Sequence, residues 1–188
     1  MAVKTMSAST GGGGLYSEGW HQLTIAKAEY GTWKGPDASK KYIDLWFNDY
    51  PDNMNLRVYE VTNKETGEEF RISNLFKYAN AGIMAVLKDP SGKKPVIQYD
   101  DEATGLVGKD INVYMYKEDK SGNKWSRFFD NVAPVEQEGE HLSYTADHVA
   151  GIKKGVEAGY ARISSNTPSN GAFAATETKD TDGDDLPF

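Results

Sequence analysis

Alternation of apolar and polar positions is the clearest signal along this chain. In 41–47, Ile43, Leu45 and Phe47 fall on one face and Tyr42, Asp44 and Trp46 on the other, as in a half-buried strand. The same period of two recurs in 20–30, where Leu23 and Ile25 alternate with Gln22 and Thr24. It recurs in 55–61, with Leu56 and Val58 against Arg57 and Tyr59. Polar loops rich in Gly, Pro, Asn and Asp separate these segments (31–40, 48–54 and 62–69), so the first three strands read as a meander. The period then changes. Ile72, Leu75, Phe76, Ala79, Ile83, Val86 and Leu87 keep helical spacing and predict a helix over 70–87, with Ser73 or Asn74 as N-cap. Gly82 costs such a helix about 1 kcal/mol relative to Ala. Strand periodicity returns in 108–118, with Ile111, Val113 and Met115 inward and Asn112, Tyr114 and Tyr116 outward, and in 125–135 after a turn at 119–124. Residues 96–105 fit no element.

The order strand, strand, strand, helix, strand, strand is that of the OB-fold, a five-stranded Greek-key barrel that binds oligonucleotides or oligosaccharides, its helix lying between strands three and four. The fold expected is therefore mainly β, a barrel over 19–135 flanked by disordered termini. Residues 1–18 are small, polar and Gly-rich and read as a flexible arm. Beyond 135 the pattern decays. In 146–163, Val149, Ile152 and Val156 have helical spacing, but Gly151, Gly155 and Gly159 cost about 3 kcal/mol together, so 136–179 reads as a linker with at most a weak helix.

Composition sharpens the picture where it is uneven. The 188 residues carry a net charge of −7, yet residues 1–135 hold 17 Lys and Arg against 18 Asp and Glu, while 136–188 hold 4 against 10. The excess acid is a device of the C-terminal quarter, and the near-neutral front leaves room for a local basic face. With no cysteine, disulfide scaffolds, thiolate metal sites and cysteine nucleophiles are excluded. The three scattered histidines suggest no metal constellation. The Gly11–Gly14 run lacks the lysine and helix of a phosphate loop. The paired acids Glu68-Glu69 and Asp100-Asp101 sit in polar loops, and Asp180, Asp182 and Asp184 lack the Gly and Glu of a calcium loop. No cofactor and no enzymatic activity are expected.

Aromatic residues make up 12% of the chain and gather on the polar faces of the strands. Trp33 and Lys34 lie in the first loop, Tyr42 and Trp46 on the second strand, Arg57 and Tyr59 on the third, Tyr114 and Tyr116 on the fourth, and Trp125 and Arg127 on the last. Flat rings interleaved with cations suit unpaired nucleobases, which stack on aromatic faces for about 1–3 kcal/mol each while Lys and Arg track phosphates. These ten residues are the candidate DNA-binding set. The alternatives are that the rings pack the barrel exterior under the N-terminal arm or residues 141–163, or that they stack on sugars in a carbohydrate-binding or adaptor barrel.

The chain ends in Asp180-Thr181-Asp182-Gly183-Asp184-Asp185-Leu186-Pro187-Phe188, which resembles the acidic C-terminal tip of bacterial single-stranded DNA-binding proteins. Glu18-Gly19-Trp20, Lys41-Tyr42-Ile43-Asp44-Leu45 and Leu106-Val107-Gly108-Lys109 resemble a group of phage-encoded single-stranded DNA-binding proteins. The resemblance implies sequence-nonspecific protection of single-stranded DNA during replication, recombination and repair, in the cytoplasm of an infected bacterial host. It also implies recruitment of partner enzymes through Asp182, Asp184, Asp185, Leu186, Pro187 and Phe188, with Phe188 filling an apolar pocket and the acids lining a basic rim. The chain departs from the common bacterial protein in its insertion at 88–104 and in its tail composition. Exposed strand edges or 141–163 offer a route to a homo-oligomer.

Overall fold

The computed structural model describes residues 16–35, 40–88, 95–120 and 122–166. In chain order the elements are β1 (Gly19–Thr32), β2 (Lys41–Phe47), β3 (Leu56–Tyr59), α1 (Arg71–Tyr78), β4 (Ile83–Lys88), β5 (Pro95–Tyr99), a 3₁₀ turn (Ala103–Leu106), β6 (Asp110–Lys120), β7 (Asn123–Ala133) and α2 (Ala146–Asn166). Five strands form one antiparallel sheet in the order β3-β2-β1-β6-β7, and β4 with β5 forms a separate antiparallel hairpin. The architecture is mainly β.

β1 organises the sheet. Its first half, Gly19–Thr24, pairs with β6, and its second half, Ile25–Thr32, pairs with β2. A bulge between Ile25 and Lys27 marks the changeover, and an extra residue there bends the strand and increases its twist. The sheet therefore curls around its apolar face. Its edges, β3 and β7, come within 8 Å of each other, but no hydrogen-bonded ladder joins them among the described residues. A closed five-stranded barrel was the expectation; what is present is a strongly curled five-stranded sheet.

The strand residues read as inward do face inward. Ile25, Ile43, Leu45, Leu56, Val58, Ile111, Val113 and Met115 are all fully buried. Ile72, Leu75 and Phe76 of α1 and Leu106 of the 3₁₀ turn complete the core. Each such side chain contributes about 1.5–3 kcal/mol before the cost of ordering it.

Three stretches depart from the sequence-based expectation. The first is the helix predicted over 70–87, which ends at Tyr78. Asn80 and Gly82 take left-handed φ values of 49° and 64°. A side chain at Gly82 would collide with the Asp100 carbonyl, which abuts it as Asp100 N–H donates to the Gly82 carbonyl at 2.8 Å. The chain is turned out of the helix there, and Ile83–Lys88 pairs with β5 instead. The previously unassigned residues 96–105 supply most of β5 and the 3₁₀ turn. Neither Ser73 nor Asn74 caps the helix. The Glu69 carboxylate accepts from the backbone N–H groups of Arg71, Ile72 and Ser73 at 2.7–2.8 Å, satisfying donors that a helix start otherwise leaves free.

The second departure is 136–166. Gln137 and Tyr144 form a backbone bridge, the Gln137 amide donates to the Tyr78 carbonyl, and the Tyr144 hydroxyl donates to the Lys77 carbonyl at 3.0 Å. This segment is fastened to the end of α1 rather than serving as a linker. It leads into α2, a 21-residue helix that packs on the sheet through buried Val149 and half-buried Tyr160. Nothing lies within 4 Å of the Cβ position of Gly151, Gly155 or Gly159. Docking outweighs the propensity these glycines lose, as helix stability in proteins comes mainly from packing. The third departure is small: Tyr16–Glu18, assigned to the arm, pack on the body. The Tyr16 ring lies 4.7 Å from that of Tyr50, and its N–H donates to Ser126 Oγ at 3.0 Å. The rest of the arm, and the disorder expected for the C-terminal residues after 166, fall outside the described residues.

Candidate nucleic-acid interface

The outer face of β1, β2 and β3 is built from cross-strand rows. Tyr42 stands between Gly31 and Tyr59, Asp44 between Glu29 and Arg57, and Trp46 beside Lys27. Residues directly opposite on one face lie about 4.5–5.5 Å apart, so each row is in contact. Trp33 joins from the loop after β1, where its backbone N–H donates to the Lys40 carbonyl at 2.8 Å and closes the loop base.

The rings are continuous. Trp33 meets Tyr59 edge to face with centroids 5.9 Å apart, and Tyr59 meets Tyr42 in the same manner at 5.9 Å. The Arg57 guanidinium lies 3.9 Å over the Tyr42 ring. Lys40 Nζ stands 5.8 Å from the Tyr59 ring and Lys27 Nζ 4.6 Å from the Trp46 ring. Trp46 is oriented by its indole N–H, which donates to the Asp52 carbonyl at 2.9 Å. Trp33 is 39% exposed, a large apolar side chain left open beside exposed Lys34. Asp44, read as outward, is on the outer face but buried, because Arg57 covers it and binds it through Nε and NH2 at 2.8 and 2.7 Å. This pairing raises the Arg57 pKa further above its ordinary value, so the group is a permanent cation.

Tyr114 and Tyr116 lie on a second aromatic wall, and α2 covers it. The Tyr160 ring sits 5.4, 5.2 and 5.4 Å from those of Tyr114, Tyr116 and Phe129. Trp20 meets Tyr114 at 5.4 Å, donates its indole N–H to Glu157 at 2.7 Å and has Lys153 Nζ 5.3 Å from its ring. Burial, then the charge of Glu118, pushes the Tyr116 hydroxyl up to about 12. Arg127 Nε is held by Glu118 at 3.2 Å. Trp125, opposite Glu118 near the end of the β6–β7 hairpin, is 52% exposed. Of the ten candidate residues, Trp33, Lys34, Tyr42, Trp46, Arg57 and Tyr59 thus form an open platform. Tyr114 and Tyr116 are helix-docking rings, and Trp125 and Arg127 stand apart with the β6–β7 hairpin. This is the shielding by 141–163 weighed as an alternative, realised at Tyr114 and Tyr116.

Gly31, Asp44, Lys27 and Lys40 belong to the platform and were missed. For Gly31, Asp44 and Lys27 the signal is the register between strands, which periodicity within one strand does not carry, and for Lys40 it is the closure of the loop on Trp33.

A cavity of about 530 Å³ opens at the far ends of β1 and β5, lined in part by Tyr30, Lys41, Glu60, Glu69, Asp101 and Glu102. Four carboxylates against one lysine make it unsuited to phosphate, so it is not part of the interface. No cluster of metal-ligating side chains occurs among the described residues. Among them, too, no helix is long and apolar enough to cross a membrane. The tip residues Asp182, Asp184, Asp185, Leu186, Pro187 and Phe188 lie outside the described residues. No protein-family model and no curated protein sequence matches the chain.

Proposed function

We propose that this chain is a sequence-nonspecific single-stranded DNA-binding protein with an OB-type body, protecting DNA during replication, recombination and repair. The observation that carries the reading is the unbroken run Trp33–Tyr59–Tyr42–Arg57 on an open sheet face, rimmed by Lys34 and Lys40. Successive bases stack on such a run without their edges being read, and the rim lysines meet the phosphates. An OB-fold uses the face of its second and third strands and the loop after its first strand for this purpose, and the platform has that placement. A β1 shared between two partners and an α1 plugging the core also fit an OB-type body. The acidic C-terminal tip then serves to recruit partner enzymes.

The test is a salt titration of oligo-dT binding followed by fluorescence anisotropy. Affinity is expected to fall with salt by about 0.7 in log–log slope per phosphate contacted. Trp33→Ala and Tyr59→Ala are each expected to weaken binding by about 1–3 kcal/mol. A wild-type protein that ignores oligo-dT at low salt, or binds duplex equally well, overturns the reading.

A further inference from the structure

We infer that Asp44 is a positioning residue that holds Arg57 as a charge-balanced stacking shelf, so that the middle of the platform receives nucleobases and leaves phosphates to the rim. This rests on the single-stranded DNA reading and specifies how that site divides its work.

The geometry is specific. Asp44 is 8% exposed, and both its oxygens accept from Arg57 in a forked pair. Across β1 the next carboxylate is Glu29, directly opposite Asp44, and Glu29 is paired with Lys27 at 2.9 Å. Lys27, Glu29, Asp44 and Arg57 therefore form a patch of zero net charge at the centre of a face that would otherwise be basic. A phosphate approaching Arg57 would meet a guanidinium whose charge is already balanced by a buried carboxylate, with a second carboxylate one strand away. Two of the five guanidinium N–H donors are committed to Asp44. The Arg57 side chain is still 37% exposed. Its central carbon stands 3.9 Å over the Tyr42 ring, and stacking is available to Arg because its cation is planar and weakly hydrated. Lys34 and Lys40 at the rim have no forked carboxylate partner among the contacts described, and they suit the backbone.

Salt dependence separates these roles. Oligo-dT affinity is measured across a salt series for the wild type, Arg57→Lys, Arg57→Ala, Asp44→Asn and Lys34→Ala, with thermal melts to confirm folding. Arg57→Lys and Arg57→Ala are both expected to weaken binding by roughly 5- to 100-fold, with lines parallel to the wild type, since a stacking surface is lost and no phosphate contact with it. Lys34→Ala is expected to lower the slope by about 0.7. Asp44→Asn releases the charge of Arg57, and the slope is expected to steepen by up to about 0.7. Should Arg57→Ala lower the slope as Lys34→Ala does, or Arg57→Lys bind as tightly as the wild type, Arg57 is a phosphate ligand and the inference fails. If Asp44→Asn does not fold, the two Arg57 variants decide the matter. A wild type that does not bind at all would sink the underlying reading instead, so the two failures are distinct.

Discussion

Adding one carbon at Gly31 tests the platform while leaving all of its rings chemically intact. The position faces Tyr42 across β1 and β2, and a Cβ built there would fall well under 3.0 Å from the Tyr42 ring and hydroxyl. In Gly31→Ala the backbone accepts the change, because Gly31 is not among the residues with positive φ. The flexible end of Tyr42 must therefore swing off the sheet. Two contacts go with it, the guanidinium of Arg57 at 3.9 Å and the edge of Tyr59 at 5.9 Å. Those contacts contribute about 0.5–2 kcal/mol and 0.5–1.5 kcal/mol to stability. Replacing Gly in a strand returns about 0.5–1 kcal/mol. Net destabilisation should thus stay near 1–2 kcal/mol, readable in a denaturant titration. Affinity responds differently, because a displaced ring no longer offers its face to a base. The expected loss is about 1–3 kcal/mol, roughly 5- to 150-fold in Kd for oligo-dT. Thr32→Ala, on the neighbouring exposed residue, serves as the control and should change neither quantity. A folded Gly31→Ala protein that binds within twofold of the wild type would show that bases do not rest on Tyr42.

Two further predictions concern tyrosines buried away from the platform. Tyr160→Ala removes three ring contacts of 5.2–5.4 Å and should cost about 2–3 kcal/mol, with loss of helical circular dichroism and faster nitration of Tyr114 and Tyr116; an unchanged spectrum and nitration rate would contradict the docking of α2. Burial raises the hydroxyl pKa of Tyr78, Tyr116, Tyr144 and Tyr160 above their unfolded values. Their neutral forms are favoured by folding, so this stability is complete below about pH 10 and lost as the pH rises toward the folded values. An absorbance titration should show a late class of tyrosines ionising together with unfolding, whereas a single step for all 11 tyrosines near pH 10 would refute the burial.

How far the chain could be read without its structure differs between body and site. The alternation in 20–30, 41–47, 55–61, 108–118 and 125–135 identified five strands and the inward set Ile43, Leu45, Ile111 and Val113, all fully buried. Periodicity succeeds there because a strand with one wet and one dry face must alternate. It failed at 83–88, where Ile83, Val86 and Leu87 satisfy a helical stripe as well as they fill a short strand. The contact of Gly82 with Asp100 breaks the tie, and 18 residues separate the two in sequence. Glu69 went unread as the helix cap because capping from outside the helix depends on where a flexible side chain turns.

At the interface, residue type and sheet face were legible, as Tyr42, Trp46, Arg57 and Tyr59 show. Tyr114 and Tyr116 carry the same local pattern, yet Tyr160 lies against them and not against Tyr42. The order of residues along a strand determines which side of the sheet each one occupies, since that follows from backbone geometry alone. Which neighbours meet there was settled only by register and by the docking of α2, because those contacts depend on segments distant in sequence finding each other in the folded chain.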